Sequence, residues 1–440
     1  MSCTERTLDH WLAHIERVHP QAIAMGLERV RVVKDAMALA PQFPLFTVGG
    51  TNGKGSACMM LEAILHQAGY KVGCYTSPHL LRYNERVRIA RVAAADTGLA
   101  RAFEAVERAR LRAGVALTYF EFGTLAAMVL FIEAQVDAAI LEVGLGGRLD
   151  AVNVFEPDCA MVMSVALDHM EYLGDTREKI GFEKAAIFRA GKPAICADSD
   201  PPRSLMEHAA AIGAQLRVRG RDFDAKSAAV QWAYSTTDGA GGARHGLPWP
   251  ALRGAHQLGN AAACIAALDS LRDRLPVTMN DIRSGLLTVE NPGRFQVLPG
   301  RPTVILDVAH NPHAALALAS SLDSMPRGGR TLAVFAMLAD KDIAGVISIM
   351  KPRVSAWFAA GINRSGPRGV SAEAIALQLA AAGITAVTRC ENVAAALHAA
   401  REAAQVDDKI LVFGSFYTVS EAMRASLSAR GKSRDLSRGK

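Results

Sequence analysis

Lys54 stands in a glycine-rich stretch that can hold phosphate. Residues 50–56 read Gly-Thr-Asn-Gly-Lys-Gly-Ser, and they follow an apolar run, 45–48, that predicts a buried strand. A helical pattern comes next, so backbone N–H groups at the helix start and the lysine would face an anion. The common G-x-x-x-x-G-K-[ST] spacing is not met, because Val48 and Gly55 occupy two of its positions. A nucleotide is the predicted ligand, and a glycine-rich turn without a ligand is the alternative.

Three polar side chains recur where predicted strands end. Ser77, Glu142 and His169 each follow an apolar run of strand length. Because the carboxyl ends of strands form the ligand crevice of an open α/β sheet, we expect all three to lie near Lys54. A solvated loop acid is the alternative for Glu142, and a helix-capping or core histidine is the alternative for His169.

The order of predicted elements indicates an α/β protein with two domains. Residues 1–40 are helical in pattern, and strands then alternate with helices to about residue 197, which favours a parallel, doubly wound sheet. A Gly/Ser/Thr-rich segment within 222–254 predicts hairpins. A second α/β series begins beyond residue 296, with strands at 303–306, 331–335, 356–359, 386–388 and 410–413. We predict an ATP-binding domain over 1–295, a smaller α/β domain over 296–430 and a flexible basic tail over 431–440.

Composition excludes several classes of partner. The formal net charge is +6 over 440 residues, but no basic stripe with interleaved aromatic residues is present, which disfavours nucleic acid. The seven cysteines are an odd number without C-x-x-C spacing, as expected for a reducing compartment. No signal peptide and no membrane-spanning apolar run is found. We expect a cytoplasmic monomer that acts on small molecules and has no membrane partner.

The motifs together resemble the Mur ligase superfamily, most closely its folate branch of dihydrofolate synthase/folylpolyglutamate synthase. The resemblance covers nearly the whole chain in order. It implies a P-loop-containing Mur-ligase-like central domain with a parallel sheet and a smaller Rossmann-like C-terminal domain. The stretches that carry it are 50–56, 77–80 (Ser-Pro-His-Leu), 142–150 (Glu-Val-Gly-Leu-Gly-Gly-Arg-Leu-Asp), 167–169 (Leu-Asp-His), 183–189 (Glu-Lys-Ala-Ala-Ile-Phe-Arg), 292–295 (Pro-Gly-Arg-Phe), 307–313 (Asp-Val-Ala-His-Asn-Pro-His), 340–342 (Asp-Lys-Asp) and 414–419 (Gly-Ser-Phe-Tyr-Thr-Val).

The activity that this resemblance implies is ATP-dependent amide formation through an acyl phosphate. Glutamate would be added to 7,8-dihydropteroate, and further γ-linked glutamates to reduced folates. A folylpolyglutamate synthase without the first activity is the alternative. A muramyl-peptide ligase is disfavoured. About 40 residues before the stretch 50–56, called here the phosphate loop, leave no room for a UDP-binding domain of the usual size. A non-catalytic nucleotide-binding module is disfavoured because Lys54, Glu142, His169 and Lys184 occur together.

The same resemblance implies roles for individual residues. Lys54, His169 and Lys184 would be catalytic, and Lys184 would be carbamylated to N6-carboxylysine. Mg²⁺ is the implied cofactor, with ATP as co-substrate and a monovalent cation as a further candidate. The implied ATP contacts are Thr51, Asn52, Gly53, Lys54, Gly55, Ser56, Asn260, Arg294 and Asp307; the metal ligands are Ser77, Glu142, His169 and Lys184; the pterin contacts are Thr118, Tyr119, Phe120, Glu121 and Leu149.

Three of these positions also have structural interpretations. Glu183 and Lys184 on a helix are most often a surface pair. Asp307 is also a candidate N-cap for a helix that starts near Pro312. The stretch 118–121 would also serve as the aromatic-lined start of a helix.

Overall fold

The computed structural model describes residues 6–19, 21, 23–228, 230–237, 242–326, 328–362 and 368–438, with the backbone alone from residue 429. The chain divides into two compact units. The first comprises Met1–Ala251 and Gln257–Glu290, and the second comprises Leu252–His256 and Asn291–Lys440. Within the described ranges, no helix combines the length and the apolar character needed to cross a membrane.

The first unit is built from a large sheet, a small sheet and surrounding helices. Its helices are α1 (Leu8–Val18), α2 (Glu28–Ala36), α3 (Lys54–Gln67), α4 (Asp96–Ala113), α5 (Tyr119–Glu133), α6 (Met170–Leu173), α7 (Arg177–Ala185), α8 (Arg203–Ala211), α9 (His256–Ser270) and α10 (Met279–Thr288). Its strands are β1 (Leu45–Gly49), β2 (Val72–Tyr75), β3 (Val87–Ile89), β4 (Val92–Ala93), β5 (Ala138–Glu142), β6 (Cys159–Val162), β7 (Pro193–Cys196), β8 (Gln215–Val218), β9 (Phe223–Ser227), β10 (Gln231–Thr236) and β11 (Arg244–Pro248).

The large sheet brings the ends of four chemically important strands side by side. Its order is β4-β3-β2-β5-β1-β6-β7-β8, and the strands from β2 to β8 are parallel. The central strands β1 and β5 are buried along their whole length, as expected when helices cover both faces of a parallel sheet. Val48 pairs in register with Glu142, and Gly49 with Val162. The carboxyl ends of β2, β5, β1 and β6 therefore lie next to one another.

Helices α3 and α5 owe their positions to long buried stretches that are mostly apolar. Every residue of α5 from Glu121 to Phe131 is buried, and α3 is buried from Ser56 to Leu65. Helix α10 packs closely on α3, because Gly285 has no side chain: a Cβ there would approach Ile64 Cα to 2.6 Å. The helix that begins at the phosphate loop is thus held between the sheet and a second helix.

The second unit is a smaller α/β sheet that agrees with the Rossmann-like prediction. Its order is β12-β13-β17-β14-β15-β16, and all neighbours are parallel except β12 and β13. Its strands are β12 (Gln296–Leu298), β13 (Thr303–Asp307), β14 (Thr331–Phe335), β15 (Ala356–Ala360), β16 (Val387–Cys390) and β17 (Lys409–Phe413); its helices are α11 (Pro312–Asp323), α12 (Ile343–Met350), α13 (Ala372–Ala381), α14 (Val393–Ala403) and α15 (Phe416–Arg438).

Several predicted elements differ in extent from those observed. The predicted helical segment 1–40 contains two helices in its described part. Segment 222–254 forms a three-stranded antiparallel sheet, in the order β11-β10-β9. The segment predicted as a flexible tail continues α15 as far as Arg438, and no proline interrupts it. Residues 439–440 lie outside the described ranges.

Candidate functional site

The phosphate loop requires glycine at two positions. Gly50 has φ +135° and Gly53 has φ +88°, values that favour glycine. A Cβ on Gly50 would lie 2.9 Å from Met163 N, and a Cβ on Gly53 would lie 3.0 Å from Asn260 Oδ1. The loop therefore passes so close to its neighbours that both the backbone geometry and the space exclude a side chain.

The segment after β6 holds the loop in shape. Thr51 N donates to Ser164 O (2.7 Å), and Asn52 N donates to Ser164 Oγ (3.0 Å). Lys54 Nζ donates to Gly50 O (3.0 Å) and Thr51 O (3.2 Å), so the ammonium group lies over the loop. Because Lys54 is the first residue of α3, its charge adds to the positive end of that helix.

Glu142 and Ser77 meet at the ends of the neighbouring strands β5 and β2. Ser77 N donates to Glu142 Oε2 over 2.9 Å, and Glu142 is only 4% exposed. The alternative of a solvated loop acid is therefore wrong for Glu142. Burial raises the pKa of the Cys58 thiol well above its ordinary value, the negative charge of Glu142 raises it further, and Lys54 lowers it. The charges of Glu142 and Lys54 thus both change the pKa of the same buried thiol, that of Cys58 on α3.

His169 is held by its neighbour in an unusual backbone conformation. Its φ is +50°, and Asp168 Oδ1 accepts a hydrogen bond from His169 N (2.9 Å). The same oxygen lies 4.0 Å from His169 Nε2. The imidazole is partly exposed, so the alternative of a core histidine is wrong. The helix-capping alternative holds for position, because His169 is the N-cap residue of α6, although its side chain makes no capping hydrogen bond. His169 extends the row of strand-end residues to β6.

Lys184 is buried on α7 and shares its surroundings with the phosphate loop. It is 3% exposed, so the alternative of a surface pair is wrong. Its pKa is lowered to about 7, first by burial and then by the charge of Lys54, whereas Asp168 and Asp150 act in the opposite direction. A large fraction of the Lys184 amine is therefore uncharged at neutral pH, and the uncharged amine is the form that can react as a nucleophile.

The donor set fits Mg²⁺ if substrate oxygens contribute. Within the described ranges, no group of three or more His, Cys, Asp and Glu side chains is placed to hold a metal. Mg²⁺ seldom uses such a cage and is usually held by one or two carboxylates together with waters and substrate phosphates. Buried Glu142, a carbamate on Lys184 and the Ser77 hydroxyl would supply oxygens of that kind, beside a loop suited to phosphate.

Asn260 and its neighbours on α9 lie beside the phosphate loop. Asn260 Oδ1 faces Gly53, as the close approach described above shows, and Asn260 Nδ2 donates to Gln257 Oε1 (2.9 Å). Gln257 Nε2 in turn donates to Ser56 Oγ (3.4 Å). The amide side chains of Asn260 and Gln257 thus lie along the phosphate loop and the first turn of α3. The sequence pointed to Asn260 but not to Gln257.

Arg294 and Asp307 both lie in the second unit, and contacts within that unit fix their positions. Asp307 Oδ2 accepts from Phe295 N (2.7 Å), and Asp307 Oδ1 accepts from Ala309 N (2.8 Å). The guanidinium of Arg294 lies 4.8 Å from the centre of the Phe416 ring. Burial raises the pKa of Asp307, and the charge of Arg294 opposes that effect.

Asp307 does not cap the helix that follows it. The N-cap of α11 is Asn311, whose Oδ1 accepts from Ala314 N (2.8 Å). The capping alternative for Asp307 is therefore wrong. Its carboxylate instead accepts from the backbone of Phe295, directly after Arg294, and of Ala309, just beyond β13, which keeps Arg294 and Asp307 close together.

The stretch 118–121 begins α5 with a capping box. Thr118 Oγ1 accepts from Glu121 N (3.2 Å), and Glu121 Oε2 accepts from Thr118 N (2.7 Å). Glu121 Oε1 also accepts from Arg29 Nη2 (2.9 Å). The structural interpretation of this stretch as a helix start is confirmed. Arg29 was missed by the sequence reasoning, because a distance of 92 residues along the chain gave no signal for the pair.

Aromatic and apolar side chains surround this helix start. The Phe120 ring lies 5.7 Å from that of Tyr75, and the Tyr119 ring lies 5.7 Å from that of Tyr83. The Arg86 guanidinium lies 5.4 Å from the ring centre of Tyr119. These residues come from different segments of the first unit. Tyr75 and Tyr83 are buried and Tyr119 and Phe120 are partly buried, so the helix start combines aromatic and cationic side chains.

Leu149 contacts the segment 25–26, which precedes α2. Leu149 O accepts from Gly26 N (3.4 Å), and a Cβ on Gly146 would approach Met25 to 3.8 Å. The segment 25–26 was not identified from the sequence, since two partly buried residues in a loop carry no periodic pattern. The structure thus adds this segment to the surroundings of the predicted pterin contacts.

Comparison with known proteins decides the family. The Mur ligase middle domain matches residues 48–268, and the glutamate ligase domain of Mur ligases matches residues 293–416. A dihydrofolate synthase/folylpolyglutamate synthase of Escherichia coli is 44% identical over 423 residues, which are 94% of this chain and 94% of that protein. This chain belongs to the dihydrofolate synthase/folylpolyglutamate synthase family of Mur ligases. The resemblance expected from the motifs is confirmed.

Solved structures of the family share the fold. FolC of Escherichia coli in complex with DHPP and ADP has a TM-score of 0.90 and 44% identity, covering 97% of this chain and 99% of that one. A bifunctional folylpolyglutamate synthase/dihydrofolate synthase of Yersinia pestis, complexed with AMPPNP and a Mn ion, has a TM-score of 0.88 and 43% identity, with coverages of 96% and 98%.

Proposed function

We propose that this protein is an ATP-dependent ligase with two activities. It joins L-glutamate to 7,8-dihydropteroate to make dihydrofolate, and it adds further γ-linked glutamates to reduced folates. The observation that carries the proposal is the 44% identity to a dihydrofolate synthase/folylpolyglutamate synthase along 94% of both chains. The alternative, a folylpolyglutamate synthase alone, is favoured by no observation, and segment 118–121 supports the dihydropteroate activity.

The chemistry proceeds in two displacements. One oxygen of the acceptor carboxylate attacks the γ-phosphorus of ATP, the bond from that phosphorus to ADP breaks, and an acyl phosphate forms. The glutamate nitrogen then attacks the acyl carbon, the bond from that carbon to the phosphate oxygen breaks, and the nitrogen loses a proton. The products are the amide, ADP and phosphate. Because negative charge accumulates on phosphoryl and acyl oxygens, positioning and electrostatics supply most of the catalysis.

The phosphate loop would bind the β- and γ-phosphates. The backbone N–H groups of 53–56 and the Lys54 ammonium, which lies over the loop carbonyls, are the proposed donors, since the N–H groups of Thr51 and Asn52 already bond to Ser164. Mg²⁺, held by Ser77, Glu142, His169 and carbamylated Lys184, would neutralise charge on the phosphoryl oxygens. Asn260 in the first unit and Arg294 and Asp307 in the second are further proposed ATP contacts. His310 and Lys341 are candidates for positioning phosphate or glutamate.

Carbamylation of Lys184 turns a cation into an anionic oxygen ligand. The lone pair of the neutral amine forms a bond to the carbon of CO₂, and the nitrogen releases its proton. The pKa of about 7 supports this step, because the ammonium form has no lone pair to donate. The product is a carboxylate at the end of a buried side chain, next to Lys54.

The pterin would lie against the start of α5. Tyr119, Phe120 and Leu149 offer aromatic and apolar surface. Glu121 is held by Arg29 and Thr118, and its carboxylate retains lone pairs that can accept from the amino–imino face of the pterin. We also propose that the protein is a cytoplasmic monomer and that a monovalent cation assists it.

An assay with two acceptors tests this function. Phosphate release is measured with ATP, Mg²⁺ and L-glutamate, first with 7,8-dihydropteroate and then with tetrahydrofolate, and the products are identified by mass. The proposal predicts glutamate-dependent release with both acceptors. Release with tetrahydrofolate alone would replace it by the single-activity alternative, and no release with either would refute the ligase.

A further inference from the structure

We propose that Arg148 and Glu183 form a clamp that positions Lys184 for its role as a carbamylated ligand. The pair is called here the Arg148–Glu183 clamp. The proposal rests on the function proposed above for Lys184, and it assigns roles to two residues that do not touch the substrate. Arg148 lies in the loop after β5, and Glu183 lies in the last turn of α7.

Arg148 contacts both the backbone and the side chain of Glu183. Arg148 N donates to Glu183 O over 2.9 Å. The guanidinium reaches Glu183 Oε1 with two nitrogens, Nε at 3.0 Å and Nη2 at 2.9 Å. An ion pair between side chains alone would leave the helix free to rotate, whereas a simultaneous bond to the carbonyl fixes the helix backbone.

The end of α7 needs such a partner. Helix α7 ends at Ala185, so the carbonyl of Glu183 is among the last four, which have no intrahelical donor. The Arg148 N–H satisfies this carbonyl, and the guanidinium places positive charge near the negative end of the helix dipole. The backbone bond needs only a residue other than proline, whereas the side-chain contact to Glu183 and the position beside the helix end favour arginine.

Gly147 permits the close approach of the loop to the helix. A Cβ on Gly147 would lie 2.7 Å from Glu183 O and 3.2 Å from Lys184 Cα. The loop backbone thus packs directly against the backbone of Glu183 and Lys184. Asn153 Nδ2 strengthens this contact, since it donates to Arg148 O (3.2 Å) and to Ala186 O (3.3 Å).

Fixing the last turn of α7 sets the direction of the Lys184 side chain. Adjacent helix residues point about 100° apart, which follows from 3.6 residues per turn. The partly exposed clamp on Glu183 therefore directs Lys184 into the buried side, where Lys54, Asp168 and Asp150 act on it. The Glu183 side chain is only 15% exposed, so loss of Arg148 would leave a largely buried carboxylate without its cation and should lower stability as well as change the position of α7.

The expected size of the effect follows from other residues that support metal ligands. Removing such a supporting contact typically lowers metal affinity or activity by about 10- to 100-fold. We expect Arg148→Ala to lower kcat by that factor. We expect Arg148→Lys, which keeps the charge but not the planar fork, to have a smaller effect.

The test measures the carbamate directly. Wild-type protein, Arg148→Ala and Glu183→Gln are titrated with ¹³C-bicarbonate in the presence of Mg²⁺ and ADP, and the carbamate carbon is followed by NMR. Arg101→Ala is the matched control, because Arg101 pairs with Glu133 (2.6 Å) on α4 and α5 and both side chains are exposed. The clamp predicts that half-labelling needs about tenfold more bicarbonate in both clamp variants, measured below the temperature at which either begins to unfold.

Two outcomes separate this proposal from the one it rests on. A carbamate signal in the wild type that is equally strong in Arg148→Ala and Glu183→Gln would overturn the clamp alone. No carbamate signal in the wild type would overturn the proposed role of Lys184 itself. If Arg148→Ala unfolds at a lower temperature, the double variant with Glu183→Ala decides, because a clamp predicts that the second substitution costs no further activity.

Discussion

The backbone N–H of Ser77 donates to Glu142 Oε2 over 2.9 Å and joins the carboxyl ends of β2 and β5. One carboxylate oxygen is thereby fixed in place at the edge of the sheet. A buried carboxylate of this kind is a hard oxygen ligand that suits Mg²⁺. This arrangement makes Glu142 the residue on which metal binding should depend most.

Replacing Glu142 by Gln should separate metal binding from folding. Glutamine keeps an acceptor for Ser77 N but removes the charge, so activity should fall by on the order of 100-fold or more, since several kcal/mol of charge stabilisation depend on the metal. Mn²⁺ binding, followed by EPR titration, should weaken in parallel, with thermal unfolding unchanged. Glu156→Gln, at an exposed position, is the control. Normal Mn²⁺ affinity in Glu142→Gln would contradict the assignment.

Alanine at Gly53 should damage nucleotide binding more than alanine at Gly69. Both glycines have similar φ values, +88° and +90°, at opposite ends of α3, but only a Cβ on Gly53 meets a neighbour, Asn260. Each variant should lose about 1–2 kcal/mol of stability from backbone strain. We expect only Gly53→Ala to raise the Kd for ADP, by at least about tenfold. Equal Kd values by calorimetry would show that the loop does not bind the nucleotide.

The effect of Gly259→Ala on stability should depend on Arg219. A Cβ on Gly259 would collide with Arg219 Nη1, so the guanidinium must leave and lose its bond to Ser199 Oγ. In the wild-type background the substitution should therefore destabilise. In an Arg219→Ala background it should stabilise α9 by about 1 kcal/mol, through helix propensity. Chemical denaturation of the four proteins measures this, and the same sign in both backgrounds would refute the contact.

Lys184→Met should raise stability at neutral pH. The pKa of Lys184 is about 7 when folded and near 10.5 when unfolded, so the unfolded chain binds more protons between these values and stability rises with pH there. Removing the lysine removes a penalty on the order of a few kcal/mol at pH 7 that shrinks towards pH 9.5.

The free energy of unfolding of Lys184→Met is compared with wild type in CO₂-free buffer with a chelator. Lys179→Met, an exposed position on the same helix, is the control and should change little. A difference that does not diminish with rising pH would show that the Lys184 ammonium is not strained by burial.

The central part of this site was open to prediction from the sequence. Apolar runs mark β1, β5 and β6, and in a parallel sheet the residues after such runs share one edge. The local pattern of apolar runs therefore predicts that Lys54, Glu142 and His169 lie at the same edge of the sheet. The capping box of Thr118 and Glu121 is likewise visible from its spacing.

Contacts between distant segments could not be predicted in this way. Arg29 meets Glu121 across 92 residues, and Arg148 meets Glu183 across 35, and no periodicity encodes which segments meet. The short strands β3 and β4 also escaped prediction, because three and two residues are too few to show alternation. The burial of Lys184 depends on the same long-range packing.

Transfer of labelled oxygen tests the proposed chemistry most directly. Dihydropteroate with ¹⁸O in its carboxylate is incubated with ATP, L-glutamate and Mg²⁺, and the released phosphate is analysed by mass spectrometry. An acyl phosphate intermediate predicts one ¹⁸O atom in each phosphate, because the carboxylate oxygen that attacks phosphorus leaves with it. Amide formation with unlabelled phosphate would contradict the account.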